Sequence, residues 1–233
     1  SFVFLAAAAC TTTNPALPQL AQTAPPVAPR FDTAIAAFEA ADKAAMPPKC
    51  ATLFVGSSSI RFWFNLKQDF AFPLVRRGFG GSTIADVNAN FDRLVSQYHP
   101  ARIVFYAGEN DLAGGSSTDE TLARFAEFMA KKDAALGATP VWFIAAKPSP
   151  SRWDQFGVQS AFNAGVARLA KARRDLAYVD VVTPMLKDGR PQDALYISDH
   201  LHMKGAGYAI WRKVLGQSFR TARLTRAPAC AAR

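Results

Sequence analysis

Five short, mostly apolar runs limit what this chain can fold into. They lie at 51–56, 74–77, 103–106, 141–145 and 178–182, with segments of helical spacing between them. Apart from Arg76 and Arg77 in the second run and Asp180 in the fifth, the runs are blocks of apolar residues rather than alternating ones, the pattern of strands covered on both faces. Phe31, Ile35 and Phe38 share a helical face over 31–45, which Pro47-Pro48 closes. Ile84, Val87, Phe91, Leu94, Val95 and Tyr98 mark a helix that ends at His99-Pro100. Ser117 and Glu120 form a capping box ahead of the helix carrying Leu122, Phe125 and Met129. Val158, Phe162, Val166 and Leu169 mark another helix, and Tyr208, Trp211, Leu215 and Phe219 the last. Strand and helix alternate without a repeat. The pattern predicts an α/β fold of three layers, α/β/α, around a central, mostly parallel five-stranded sheet. With 233 residues, half of them hydrophobic, the chain can bury one sizeable core, assigned here to residues 31–233.

In such folds sites form where strands end at their carboxyl edge. Polar clusters fall at those places. Gly56-Ser57-Ser58-Ser59 follows the first run, Gly80-Gly81-Ser82-Thr83 the second and Gly108-Glu109-Asn110-Asp111 the third, and Asp199-His200-Leu201-His202 lies beyond the fifth. A sharp strand-to-helix turn at Ser58 would lift its hydroxyl above the sheet, although a serine there also suits a helix N-cap. A serine hydroxyl needs a base to become a nucleophile and donors for the oxyanion it creates. His99 precedes a proline at a helix end and reads as a surface residue. His200 is adjacent to Asp199 and tends to point elsewhere. Asp199, three positions before His202, can reach the imidazole nitrogen facing away from a serine and fix the ring's tautomer. With three cysteines and no second histidine pair, the composition does not suggest zinc.

These four blocks, in this order and spacing, resemble those of the SGNH (GDSL-type) hydrolases over roughly residues 50–218. The resemblance implies a flavodoxin-like sheet and a serine esterase without metal or organic cofactor. By it, Ser58 is the nucleophile, His202 the base and Asp199 its orienting carboxylate. The oxyanion hole would be the backbone N–H groups of Ser58 and Gly81 with the Asn110 side-chain amide. The expected substrate is a small-molecule or glycan ester: a short acyl ester, an acetylated sugar or a lipid. The chain departs from the family's Gly-Asp-Ser block in carrying Ser57 in the middle position. A non-catalytic envelope binding protein on the same fold is the alternative, but it has no need of Ser58, Asn110, Asp199 and His202 together. A phosphate-binding module built on the loop at 80–83 leaves Asp199 and His202 unexplained.

Residues 1–30 do not read as part of the domain. An apolar run at 2–9 ends at Cys10 and is too short to span a bilayer. It reads as the back half of a secretory signal. The Leu5-Ala-Ala-Ala-Ala-Cys10 pattern resembles a bacterial lipoprotein cleavage site, after which Cys10 carries the lipid; a plain signal with an incidental cysteine is the other reading. Residues 11–29 hold five prolines and no charge, a tether's composition. Together they suggest a protein of the cell envelope or periplasm, lipid-anchored to a bacterial membrane, or else secreted. In an exported chain the two remaining cysteines, Cys50 and Cys230, are expected to pair, the alternative being two free thiols. The net charge of +9 owes part to Arg220, Arg223, Arg226 and Arg233, which occur without an intervening acid. No basic–aromatic interleaving accompanies them, so no nucleic-acid partner is expected.

Overall fold

The computed structural model describes residues 30–230. The expected signal, the tether and Cys10 lie outside the described residues. In chain order the elements are α1 (Asp32–Ala44), β1 (Thr52–Gly56), two single turns α2 (Ser58–Arg61) and α3 (Leu66–Asp69), and β2 (Leu74–Gly78). Then come α4 (Ile84–Ala89), α5 (Phe91–Leu94), β3 (Arg102–Tyr106), α6 (Glu109–Ala113), α7 (Thr118–Leu136) and β4 (Val141–Ile144). The last part holds α8 (Phe156–Ala172), β5 (Leu176–Val179), α9 (Val182–Met185), a small hairpin pairing Leu186–Lys187 with Arg190–Pro191, and α10 (Gly205–Thr221).

The five main strands are all parallel, in the order β2-β1-β3-β4-β5. The strand order reverses between β1 and β3, so a crevice opens outside their carboxyl ends. Side chains alternate between two cores. Leu53 and Val55, Ile103 and Phe105, and Val141 and Phe143 meet Ile35 of α1, Phe91 of α5, Phe128 of α7 and Phe162 of α8. Phe54, Val104, Tyr106, Trp142 and Ile144 meet Trp63, Met185 of α9 and Trp211 and Leu215 of α10. Burial on both faces is why residues 53–55, 103–106 and 141–144 read as solid apolar runs.

Two elements depart from the expected pattern. The fifth strand is Leu176–Val179, not 178–182, because Asp180 accepts hydrogen bonds from the Val182 and Thr183 backbone N–H groups and from the Thr183 hydroxyl. This local turn starts α9 despite the β-branched sequence. The helix expected over 84–98 breaks at Asn90, whose side-chain amide donates to the Asp86 carbonyl. The broken pieces still present Ile84, Val87, Phe91 and Leu94 to one core.

Cys50 and Cys230 form a disulfide that spans 180 positions. It holds the C-terminal turn Pro228–Cys230 beside the entry to β1. A cross-link over so long a loop removes much of the unfolded chain's freedom. Replacing both cysteines with serine is expected to lower stability by about 2–4 kcal/mol. A urea midpoint equal to that of the oxidised wild type would contradict this.

Candidate active site

β1 ends in Gly56, whose φ of +139° L side chains rarely adopt. A Cβ there would lie 1.8 Å from the Tyr106 carbonyl oxygen, so the close turn between β1 and β3 requires glycine. The chain is held through it by the Ser57 N–H, which donates to the Tyr106 carbonyl at 2.9 Å. α2 starts at once, with Ser58 as its first residue. Of the serine triplet, Ser57 and Ser59 are buried, at 3% and 2% exposure, and the half-buried Ser58 turns its hydroxyl toward His202.

The Ser58 Oγ lies 3.0 Å from His202 Nε2. His202 Nδ1 lies 2.5 Å from Asp199 Oδ2. Asp199 Oδ1 accepts the backbone N–H groups of Leu201 and His202, both at 2.9 Å. Burial works against the Asp199 charge, but the His202 ring and these two N–H groups outweigh it and hold the carboxyl at about 2. An ionised carboxylate only accepts, so Nδ1 carries the ring proton and Nε2 is left to accept from the Ser58 hydroxyl. The loop reverses at His200, which takes a left-handed φ of +55°. His200 thereby bonds Asp193 and His202 faces the serine. The Phe62 ring meets the His202 ring edge to face at 4.9 Å and walls its other side. His99 is exposed at a helix end, away from this cluster.

The other two loops are tied together. The Asp111 carboxylate accepts from the Ile84 backbone N–H at 2.9 Å and from Arg124 at 2.9 Å. Thr83 and Asp86 cap α4 reciprocally. Gly81 sits in this loop with φ +79°. The Asn110 side-chain amide donates to the Ser82 carbonyl at 2.9 Å. The loops after β1, β2 and β3, which carry Ser58, Gly81 and Asn110, thus lie at the carboxyl edge of the sheet, and the histidine loop reaches the first of them through the Ser58–His202 contact. Trp63 is fully buried and donates to Asp69, and Trp153 stacks on Phe156, so both are packing residues.

Beneath the site lie three charged residues to which no sequence motif gives a role. Glu109 and Lys147 are 4% and 1% exposed and their charges lie 3.0 Å apart. Arg152 joins them at 3.2 Å from the Glu109 carboxylate, and the Tyr106 hydroxyl donates to the same carboxylate. Burial opposes the Glu109 charge, but Lys147, Arg152 and Tyr106 prevail and hold it below the ordinary carboxylate range. The available signal was Lys147 itself, a cation following directly on the apolar run of β4. Among the described residues, no cluster of three or more His, Cys, Asp or Glu side chains is arranged to hold a metal ion.

The sequence profile of the GDSL-like lipase/acylhydrolase family matches residues 55–210. The chain belongs to the GDSL-like lipase/acylhydrolase family. It is therefore a serine hydrolase of ester bonds. Solved structures share its fold. A candidate platelet activating factor from Streptococcus pneumonia superposes with a TM-score of 0.70 at 20% identity, covering 80% of this chain and 91% of that one. A GDSL-like lipase from Bacteroides thetaiotaomicron gives 0.67 at 23% identity over 81% and 98%. A catalytic mutant of an acetylxylan esterase from Geobacillus stearothermophilus gives 0.60 at 14% identity over 76% and 98%. No curated protein matches the chain. Within the GDSL-like fold, the crevice between β1 and β3 is where the four family blocks meet.

Proposed function

We propose that this GDSL-like hydrolase cleaves a carboxylic ester through an acyl-enzyme on Ser58. Its Oγ attacks the ester carbonyl carbon while His202 Nε2 takes the hydroxyl proton. Asp199 holds the imidazole and stabilises its charge. The negative charge that develops on the carbonyl oxygen is met by the N–H groups of Ser58, Gly81 and Asn110 Nδ2. The tetrahedral intermediate collapses, the acyl C–O bond breaks, and the alcohol leaves with the proton from His202. Water, deprotonated by the same imidazole, then releases the acid and restores Ser58. The observation that carries this reading is the continuous line from Ser58 Oγ through His202 to Asp199, at 3.0 and 2.5 Å.

The substrates that fit are short acyl esters, acetylated sugars and lipids. An oxidising compartment suits the Cys50–Cys230 disulfide, which supports export to the cell envelope; an anchor at Cys10 belongs to the same proposal. The test is covalent trapping. A fluorophosphonate probe should add one phosphonyl group, and a tryptic digest should place it on Ser58. Label on Ser59 would move the nucleophile. The absence of both label and hydrolysis across acetyl, butyryl and longer esters would return the site to a binding role.

A further inference from the structure

The Asn110 amide is held at both ends. Its nitrogen donates to the Ser82 carbonyl at 2.9 Å. Its oxygen accepts two N–H groups of Arg152, each at 3.1 Å. Arg152 is anchored in turn by the Glu109 carboxylate at 3.2 Å, and its side chain is only 19% exposed. It lies in a 3₁₀ segment, Pro150–Gln155, that touches the histidine loop both directly and through the residues just before it. The Ser151 N–H donates to the His200 carbonyl at 3.1 Å, and the Pro148 carbonyl accepts the Tyr196 hydroxyl.

A carboxamide can sit in two orientations related by exchange of its oxygen and nitrogen. Here the exchange would set the amide N–H groups against a guanidinium and the amide oxygen against a carbonyl. Both contacts are repulsive, so one orientation is fixed. A cation on the amide oxygen also draws charge toward that oxygen. The remaining Nδ2–H becomes a stronger donor, and it must answer the charge that develops in the transition state.

We propose that Arg152 is a positioning residue for the oxyanion hole: it clamps the Asn110 carboxamide oxygen, fixes the amide's orientation and polarises its free N–H. The proposal rests on the reading of Ser58 as nucleophile and Asn110 as oxyanion donor. Arg152 acts through Asn110, not on the substrate. The loss of Arg152 should therefore appear in kcat and should vanish once Asn110 is gone.

The test is steady-state hydrolysis of 4-nitrophenyl acetate by the full, oxidised chain and its R152M, R152K, N110A and N110A/R152M variants. Loss of an oxyanion donor should lower kcat about 100-fold in N110A. R152M should lose about 10- to 100-fold in kcat with KM changed less than about threefold, because the donor is misplaced rather than removed. In the N110A background the same change should cost less than about twofold. R152K keeps the cation but not the planar fork, so its loss should be intermediate. A variant that fails to fold is recognised from its near-ultraviolet circular dichroism. R152K and N110A/R152K then carry the same comparison, with the same expected coupling. Equal losses with and without Asn110 overturn the clamp, as does a raised KM at unchanged kcat. Hydrolysis that survives Ser58→Ala overturns the nucleophile reading and the clamp with it. Ser58-dependent hydrolysis with uncoupled losses overturns the clamp alone.

Discussion

Ser58→Ala should reduce kcat by about 10⁴-fold or more while leaving the protein folded. The loss is large because alanine offers no atom to carry the acyl group, so the two-step route closes. Only the oxyanion donors and substrate positioning remain, with water as the attacking group. The fold is spared because Ser58 is half-buried and its hydroxyl makes one hydrogen bond, to His202. One such bond is worth about 0.5–1.5 kcal/mol net. Ser59→Ala supplies the contrast. Ser59 is buried beside Tyr106, while the His202 ring is paired with Ser58, so the kcat of the Ser59 variant should stay within about tenfold of the wild type. Asp199→Asn should also cost about 10⁴-fold, because an amide can leave Nδ1 as the acceptor and turn the proton toward Ser58. The Asp199 carboxyl, held at about 2, stays ionised above about pH 3. Its own titration therefore contributes no loss of activity above that pH. If Ser58→Ala keeps a tenth of the activity while Ser59→Ala abolishes it, the register of the nucleophile is off by one.

The sheet and the four converging loops are legible in the sequence because they follow from local rules. Leu53-Phe54-Val55 and Ile103-Val104-Phe105 are buried on both faces, so they are apolar at every position. Gly56 marks a turn that only glycine can make. Asp199 and His202 are three apart and meet through the loop they define. The Cys50–Cys230 pairing follows from the cysteine count, since few cysteines are available to pair and these two flank the domain's ends. What escapes the sequence depends on side chains acting against propensity. Val181-Val182-Thr183 looks like strand, yet Asp180 captures the backbone N–H groups that a strand would need. Asn90 divides a helix whose apolar spacing continues unbroken. The pairing of Glu109 with Lys147 joins residues 38 positions apart. No periodicity announces it, because a charged residue looks ordinary in sequence until its buried partner is known.

Breaking that buried pair from one side should destabilise the fold strongly. Lys147→Met removes a cation that is 1% exposed and 3.0 Å from the Glu109 carboxylate. The carboxylate keeps Arg152 and the Tyr106 hydroxyl but loses its closest charge. Breaking a buried ion pair from one side costs about 3–5 kcal/mol, and the remaining Arg152 argues for the lower end, about 3. For a domain of this size that corresponds to a fall in Tm of about 6–12 °C. Against a total stability of about 5–15 kcal/mol, such a loss endangers folding itself. The cost arises from the charge left behind rather than from the lost lysine. Replacing both groups, as Glu109→Gln with Lys147→Met, should therefore cost less than the sum of the two single changes. Melting temperatures of the four proteins test this. A Lys147→Met variant melting within about 2 °C of the wild type, or a double variant whose losses simply add, would mean that the two charges do not hold one another. The pair adjoins Asn110 through the backbone of α6 and through Arg152. A destabilised Lys147→Met should therefore also lose kcat. The double variant should recover stability before it recovers rate, because the amide introduced by Glu109→Gln anchors Arg152 without a charge.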